Sequence, residues 1–308
     1  MKATTELQRQ IASYKNTAEY NDTVWRSFTK QTDRVSFLKS HRDWVEQNSW
    51  GFGDRAFHNM WYLLLKDDVL TRHSPSLLEI GVYKGQVISL WALVAQQLSR
   101  PVEITAISPF EGSRTWWALK LKMLLGKLKR IMIGSATCVG LGRVRDFLLL
   151  AAQSLSSYFD HNLIRDCKMR SANFYEKADY SGNVSRIFEN FALQSANVNL
   201  VRGYSQDESV RRQVVGRFFD IVYIDGGHRL EEVVADLEFY SPLVRYGGYL
   251  VIDDSSYNLP GTAFWKGHES VSRAVENWAA PGFTNVLNIG HNRVYMRNAQ
   301  FGPLENQQ

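Results

Sequence analysis

The fold is decided by the stretch Leu77-Leu78-Glu79-Ile80-Gly81-Val82-Tyr83-Lys84-Gly85. Its apolar half predicts a short strand that ends at a glycine, and a helical pattern follows over 86–98. Glycine lets the backbone turn tightly and approach a ligand closely, and the first N–H groups of a helix can bind one. The stretch therefore indicates the first strand and turn of a ligand-binding α/β sheet, although a glycine needed only for the turn would give the same pattern.

The remaining strands follow in regular order. Further apolar runs lie at 102–107, 197–201, 219–224 and 249–252. A helical segment at 230–240 separates the last two of these runs. Two final runs, 284–289 and 293–296, are joined by Gly290-His291-Asn292 and predict a closing antiparallel hairpin. Strands that are apolar throughout and alternate with helices indicate an α/β fold with a mostly parallel sheet and helices on both faces.

Two further regions flank or interrupt this sheet. Residues 1–75 are expected to form a helical extension, in which 55–69 carries a helical stripe of apolar side chains and Asp54 is placed to cap the helix. The sheet and its own helices are expected to fill 76–300. A helical insertion is expected at 112–178, between the second and third strands, because that stretch is much longer than one helix.

The net charge of +5 is concentrated in the insertion. Residues 112–170 contain 11 Lys and Arg against 3 Asp and Glu, a net charge of +8, so the rest of the chain carries −3. The stretch 114–145 alternates aromatic, aliphatic and basic residues, which fits a helical lid with a solvated basic face or a surface that contacts an anionic membrane. It contains no nucleic-acid-binding motif, so a nucleic-acid partner is disfavoured.

The two cysteines, Cys138 and Cys167, lack the spacing of a zinc site or a disulfide framework. The polar N-terminus has no apolar segment of the signal-peptide type, and no apolar run approaches the roughly 20 residues of a membrane span. These observations predict a cytoplasmic protein, either free or peripheral to the inner face of a membrane. The sequence leaves the oligomeric state open.

Polar residues follow each predicted strand at the edge where such sheets bind ligands. They are Glu79 at the first strand, Ser108 and Glu111 at the second, Ser205 at the third, Asp225 and His228 at the fourth, and Asp253 and Asp254 at the fifth. A carboxylate directly before the glycine suits a ligand with an ammonium group and is unfavourable beside a pyrophosphate. Together with the lack of a GxGxxG run, this disfavours a nicotinamide oxidoreductase.

The three aspartates at the fourth and fifth strands are expected to repel one another. A bound cation that prefers oxygen ligands, such as Mg²⁺, Mn²⁺ or Ca²⁺, would remove this repulsion. His228, at the start of the next helix, is placed to take a proton from a hydroxyl group. A structural explanation remains open, in which Asp225 contacts a cofactor, Asp253 and Asp254 cap a loop, and His228 caps the helix.

Four motifs together resemble one family. They are 78–86, 220–228, Asp236-Leu237 with Pro242-Leu243, and 247–254. In this order they resemble the class I methyltransferases of the macrocin O-methyltransferase and cephalosporin hydroxylase type, over about 76–111 and 197–297. The resemblance implies a seven-stranded Rossmann-like sheet, S-adenosylmethionine as methyl donor, and a hydroxyl of a sugar or small natural product as acceptor.

The resemblance also implies roles for single residues. Binding of S-adenosylmethionine is expected at Glu79, Gly81, Tyr83, Gly85, Gln86, Ser108, Glu111, Ser205 and Asp225. A divalent cation, usually Mg²⁺, is expected on Asp225, Asp253 and Asp254, with His228 as the base and Asp225 as the second catalytic residue. Ser108 stands where the family usually has an acidic residue for the ribose. The rival hypothesis is a non-catalytic scaffold on the same fold that binds a membrane or partner through its basic insertion.

Overall fold

The computed structural model describes residues 4–110 and 179–298. Its α-helices are α1 (Glu6–Ser13), α2 (Ala18–Arg34), α3 (Ser36–Gln47), α4 (Ala56–Asp67), α5 (Gln86–Gln97), α6 (Tyr180–Asn190), α7 (Glu208–Arg211), α8 (Leu230–Tyr240) and α9 (Glu269–Trp278). Its strands are β1 (Ser76–Ile80), β2 (Glu103–Ser108), β3 (Val198–Arg202), β4 (Phe219–Ile224), β5 (Val244–Ile252), β6 (Phe283–Ile289) and β7 (Asn292–Arg297). The predicted insertion 112–178, the stretch 114–145 and Glu111 lie outside the described residues.

The strands form one seven-stranded sheet in the order β3-β2-β1-β4-β5-β7-β6. Strands β1 to β5 pair in parallel, whereas β7 runs antiparallel to both of its neighbours, β5 and β6. This confirms the predicted mostly parallel sheet with its closing hairpin. Strand β5 is longer than the predicted 249–252, because Val244 already pairs with Phe219 across a register shift.

Helices cover both faces of the sheet. On one face Trp61 of α4 contacts Trp91 of α5 and Tyr223 of β4. The ring centroid of Trp61 lies 5.1 Å from that of Trp91 and 5.0 Å from that of Tyr223. On the other face Leu237 of α8 and Val271 of α9 belong to the same buried cluster as the alternate residues of β4. Tryptophans this deeply buried typically contribute about 3–5 kcal/mol each. Both faces of the central strands are therefore apolar, and polar groups are left to the strand ends.

The amino end of the sheet is closed by ion pairs around Asp220. This carboxylate is 3.0 Å from Arg72 Nη1 and 2.6 Å from Arg245 Nη1, and it accepts a hydrogen bond from Ser76 N at 2.9 Å. Arg72 in turn pairs with Asp68 at 2.6 Å, which ties the end of α4 to the sheet. The charged groups at this end already have partners, so the carboxyl end is the place to look for chemistry.

The start of α4 differs from the prediction. Asp54 is not its cap, because the helix begins at Ala56 after Arg55 without any side-chain capping bond. The Asp54 carboxylate instead accepts a hydrogen bond from Trp25 Nε1 at 2.7 Å and joins the loop to α2. The prediction of Asp54 as a helix cap was wrong, since a tertiary donor competes for the same oxygen atoms.

Two buried histidines connect the N-terminal helices to α5. Ser89 Oγ donates to the carbonyl of Gln86 at 3.0 Å, so it accepts from His41 Nε2, also at 3.0 Å. His41 Nδ1 then accepts from His58 Nε2 at 2.9 Å. Burial lowers the pKa of His41 to about 3 and holds that of His58 well below its usual range. Both imidazoles are therefore neutral in the folded protein.

Among the described residues, no helix is both long enough and apolar enough to cross a membrane.

Candidate active site

The carboxyl ends of β1, β4 and β5 meet at one edge of the sheet. The ladder continues one residue past each strand, with Asp225 N donating to Ile80 O at 2.8 Å and Asp253 N donating to Ile224 O at 3.0 Å. On the other side Gly81 N donates to Ile107 O at 2.9 Å. These bonds fix the positions of the glycine turn and of the predicted aspartates relative to one another.

The two glycines of the turn are required by the chain itself. Gly81 has φ +92°, and a Cβ atom there would lie 1.8 Å from the carbonyl oxygen of Asp225. Gly85, at the start of α5, has φ +89°, and its Cβ atom would lie 2.9 Å from Val184 Cγ2. Close packing against β4 and α6 therefore explains both glycines, in addition to any role toward a ligand.

Tyr83 and Gln86 sit at the outer side of the turn. Tyr83 has φ +49° and its ring stacks on Phe52, with ring centroids 5.2 Å apart and planes 25° apart. Gln86 Oε1 lies 3.5 Å from Arg42 Nη1. These contacts are made within the protein, and the predicted role of both side chains in cofactor binding stays a prediction.

Glu79 is buried under the turn, with 1% of its surface exposed. Its carboxylate accepts a hydrogen bond from the backbone N–H of Ile88, the third residue of α5. Its Oε2 atom is buried and has no hydrogen-bond partner in the part of the chain that the structure describes. Burial raises the pKa of Glu79 well above its usual range, and the nearby Asp253 raises it further. A positive group beside Oε2 would compensate both effects.

The two predicted serines take different positions. Ser108 is buried at the end of β2, and its carbonyl oxygen accepts from Gly203 N at 3.1 Å. Ser205 lies below the sheet edge, where its carbonyl oxygen accepts from Tyr240 Oη at 2.7 Å and from Arg211 Nε at 3.1 Å. These contacts give Ser205 a structural role next to α8, and its role in cofactor binding stays a prediction.

Five side chains form what we call the Asp–His cluster: Asp253, Asp254, His228, His268 and His291. Asp254 Oδ2 lies 3.1 Å from His228 Nε2 and 3.4 Å from His268 Nε2. Its other oxygen, Oδ1, lies 3.8 Å from His291 Nε2, which is also 3.2 Å from Asp253 Oδ1. The structure thus brings His228, Asp253 and Asp254 together as predicted and adds two imidazoles.

Asp225 lies beside this cluster, where its Oδ2 atom accepts from Tyr223 Oη at 3.3 Å. Withdrawal of its carboxyl group from water and the charges of Asp253 and Asp254 raise the pKa of Asp225 well above its usual range. Burial and Asp253 also raise the pKa of Asp254 to about 7. Burial would raise the pKa of Asp253 too, but the His291 imidazole lowers it below its usual value. Negative charge is therefore in excess at this edge of the sheet.

The backbone after β5 folds back to complete the cluster. Asp254 has φ +54°, and His268 N donates to its carbonyl oxygen at 2.9 Å. Gly267 lies so close that a Cβ atom there would be 2.2 Å from that oxygen. A β-bridge between Ser255 and Gly267 continues the contact. The glycine therefore allows the 255–268 loop to place His268, the residue before α9, next to Asp254.

His268 and His291 were missed in the sequence. His291 could have been found from the predicted hairpin. Strand β7 is antiparallel to both β5 and β6, so β6 runs in the same direction as β5 and ends at the same edge of the sheet. The turn residue after β6 therefore reaches the site. His268 had no such signal, since its place depends on the path of the 255–268 loop.

A narrow cleft opens at the cluster, with a volume of about 10 Å³. Its polar lining comes from Asp225, His228, Asp253 and Asp254 together with the backbone of Gly226 and Gly227. This is roughly the space that one water molecule occupies, so the cleft has room for a particle of atomic size.

Trp265 stands beside the cluster with 57% of its surface exposed. Its ring is edge-on to His268 at 5.3 Å and to His291 at 5.0 Å. The exposed indole therefore lies next to the imidazoles of the cluster.

Several solved structures have similar chain paths. The O-methyltransferase NovP has 16% sequence identity and a TM-score of 0.48, with 79% of this chain and 79% of that chain covered. The calicheamicin methyltransferase CalS11 has 12% identity and a TM-score of 0.47, with 97% and 99% covered. An O-methyltransferase from Bacillus cereus has 12% identity and a TM-score of 0.46, with 91% and 100% covered. Similarity at this level concerns the path of the chain and not the residues of the site.

Sequence comparison gives two further matches. An uncharacterized protein of Acanthamoeba polyphaga mimivirus is 32% identical over 74 residues, which is 23% of this chain and 34% of that protein. The chain thus matches about a third of the length of this curated relative. A family model described as a methyltransferase domain matches residues 78–255, from β1 to the residue after Asp254. Since this match covers more than half of the chain and includes the glycine turn and all three aspartates, the chain belongs to the methyltransferase-domain family.

Proposed function

We propose that this protein is an S-adenosylmethionine-dependent O-methyltransferase that acts on a hydroxyl group of a sugar or small natural product. The observation that carries the proposal is the meeting of His228, Asp225, Asp253 and Asp254 at the strand ends beside the glycine turn. A base next to several carboxylates is suited to removing a proton from a hydroxyl. Methyl transfer to oxygen requires this step.

The donor side of the site is assigned to Glu79, Gly81, Tyr83, Gly85 and Gln86. When bound, S-adenosylmethionine supplies an electrophilic methyl group on a sulfonium. Glu79 fits its ammonium group by charge, and the unpartnered Oε2 atom supports this assignment. The excess of carboxylates at the sheet edge also favours a positively charged donor over an anionic nucleotide.

A divalent cation would be held by Asp225, Asp253 and Asp254. Asp253 and Asp254 fit such an ion best, because they offer ligand atoms within 4.8 Å of a common third ligand, and the cleft that they line with Asp225 is of atomic size. When bound, the ion supplies positive charge that lowers the pKa of an acceptor hydroxyl. The carboxylates position this charge and are themselves relieved of mutual repulsion.

His228 is assigned as the base. Its side chain is 32% exposed, so an acceptor can reach it, and its Nε2 atom lies 3.1 Å from Asp254 Oδ2. Asp254 therefore stabilises the imidazolium that forms when His228 accepts the hydroxyl proton. The deprotonated oxygen would then be the nucleophile toward the methyl group that bound S-adenosylmethionine would supply.

The decisive experiment is a calorimetric titration with S-adenosylmethionine, with and without Mg²⁺, followed by an assay for S-adenosylhomocysteine release with a panel of sugars and glycosides. We expect saturable binding of the donor. We also expect His228→Ala to lower the rate by about 10²- to 10⁴-fold with unchanged donor affinity. His73→Ala, at an exposed position before β1, is the matched control.

Other outcomes separate the rival hypotheses. Full activity of His228→Ala would remove His228 as the base. Donor binding and transfer that do not depend on Mg²⁺ or any other divalent ion would remove the cation from the mechanism. Absence of donor binding, together with salt-sensitive binding to anionic vesicles that is lost on deleting 112–170, would favour the scaffold hypothesis.

A further inference from the structure

We propose that His291 is a direct ligand of the cation in this site, together with Asp253 and Asp254, and that the site therefore selects Mn²⁺ or Co²⁺ over Mg²⁺. The inference rests on the cation of the proposed function and goes beyond it in naming a nitrogen ligand and the ion class.

The spacing of the three side chains fits a common ion. Each offers one ligand atom, and these atoms lie within 4.8 Å of one another. His291 Nε2 is 3.2 Å from Asp253 Oδ1 and 3.8 Å from Asp254 Oδ1. Two adjacent ligands of an octahedral ion at about 2.1 Å are about 3.0 Å apart, and opposite ligands are about 4.2 Å apart. The observed separations lie between these limits.

His291 Nε2 and Asp253 Oδ1 face each other as an ion pair, and an ion bound between the same atoms would replace it. His291 Nδ1 and Asp253 Oδ1 are buried atoms without a hydrogen-bond partner in the described ranges 4–110 and 179–298. The His291 side chain is only 6% exposed, so water does not readily replace a partner. Buried polar atoms are normally paired, and an unpaired one costs about 1–3 kcal/mol. His291 Nε2, Asp253 Oδ1 and Asp254 Oδ1 converge from three side chains, which is the arrangement of ligands around an ion.

The imidazole is also held in place before any ion binds. Its backbone carbonyl accepts from Ser255 N at 2.9 Å, next to the end of β5. Its ring is edge-on to Phe57 at 4.5 Å and to Trp265 at 5.0 Å. Gly290 provides the turn with φ +54° that directs the following residue inward. A ligand fixed in this way loses little entropy when it binds an ion.

The choice of ion follows from the donor atoms. Mg²⁺ prefers oxygen ligands and retains its waters, whereas imidazole nitrogen favours transition ions. Mn²⁺ accepts both carboxylates and imidazole, and Co²⁺ binds such mixed sites more tightly. His228 lies on the other oxygen of Asp254, so it remains available as the base.

The experiment uses the full chain with Mn²⁺ as the probe. Electron spin-echo modulation of bound Mn²⁺ detects a directly coordinated imidazole through its ¹⁴N coupling. We expect this coupling in the unmodified protein and its loss in His291→Gln. In His268→Gln, the matched control on the opposite oxygen of Asp254, the coupling should persist. Calorimetry should give an affinity for Mn²⁺ at least about tenfold above that for Mg²⁺, and His291→Gln should reduce this ratio to near one.

Three results would overturn the inference. Bound Mn²⁺ without ¹⁴N coupling would leave carboxylates as the only protein ligands, and the proposed function would stand. Coupling that survives in His291→Gln but disappears in His268→Gln would assign the nitrogen to the other histidine. Donor binding and methyl transfer without any bound Mn²⁺, Co²⁺ or Mg²⁺ would exclude the cation while leaving the methyltransferase assignment intact. Thermal melting of each variant confirms that it is folded.

Discussion

Acidification should destabilise the fold through the buried histidines His41 and His58. The folded pKa of His41 is about 3, whereas that of an unfolded histidine is about 6.5. Below pH 6.5 the unfolded chain therefore binds a proton that the folded chain does not bind, so stability is present above pH 6.5 and is lost as the pH falls toward 3. Between about pH 7.5 and about pH 5 the loss through His41 alone is about 2 kcal/mol. His58 adds to it in the same direction.

Urea denaturation followed by tryptophan fluorescence at both pH values measures this loss. Other groups titrate over the same range, so the quantity of interest is the difference between the unmodified protein and the double variant His41→Leu/His58→Leu. Replacing both partners with apolar side chains removes the titration without leaving one polar group unpaired. The double variant should lose at least about 2 kcal/mol less on acidification. The same loss in both proteins would show that these histidines are not neutral in the folded state, and His73→Leu is the exposed control.

Two further predictions concern the stability of the folded protein. Gly81→Ala should lower the free energy of unfolding by well over the roughly 1–3 kcal/mol that a positive φ costs a non-glycine residue. The added Cβ atom would also lie 1.8 Å from Asp225 O. Gly216→Ala, at φ +77° with nothing within 4 Å, should show the backbone cost alone, and equal losses in urea melts of the two variants would refute the close contact. Burial raises the pKa of Asp236 to about 6. The folded protein therefore keeps a proton on this carboxyl that the unfolded chain loses near pH 4, and folding stability falls as the pH rises from about 4 through 6. Asp236→Asn should therefore gain up to about 3 kcal/mol near pH 8 and nothing near pH 4, and a gain that does not depend on pH would contradict this reasoning.

The central sheet was predictable because its signals are local. The apolar run 219–224 and the helical pattern 230–240 have the same bounds in the structure as in the prediction. The strand 219–224 is buried throughout and the helix 230–240 is buried on one face, so the apolar pattern of each segment identifies it. The start of β5 was missed because Tyr246, Gly247 and Gly248 do not have the pattern of a strand; they lie in the register shift between the Phe219–Val244 and Ile221–Tyr249 pairs.

The site was predictable only as far as it follows strand ends. Asp225, Asp253 and Asp254 each come within two residues of a predicted strand, so the topology brings them together. His268 reaches the cluster through a loop that depends on Gly267 and a backbone hydrogen bond, and no periodic pattern encodes such a path. Long-range contacts of this kind are decided by tertiary packing and not by propensity.

The placement of His291 on the turn between β6 and β7 has a consequence for dynamics. These two strands form one end of the sheet, and among the described strands β6 pairs with β7 alone. Edge elements open locally at a lower free energy than the whole domain. Each such opening would withdraw the imidazole from Asp253 while the parallel strands remain folded. Amide hydrogen exchange of β6 and β7 should therefore slow when Mn²⁺ is added, because an ion bound by His291 would link the fraying of these two strands to occupancy of the site.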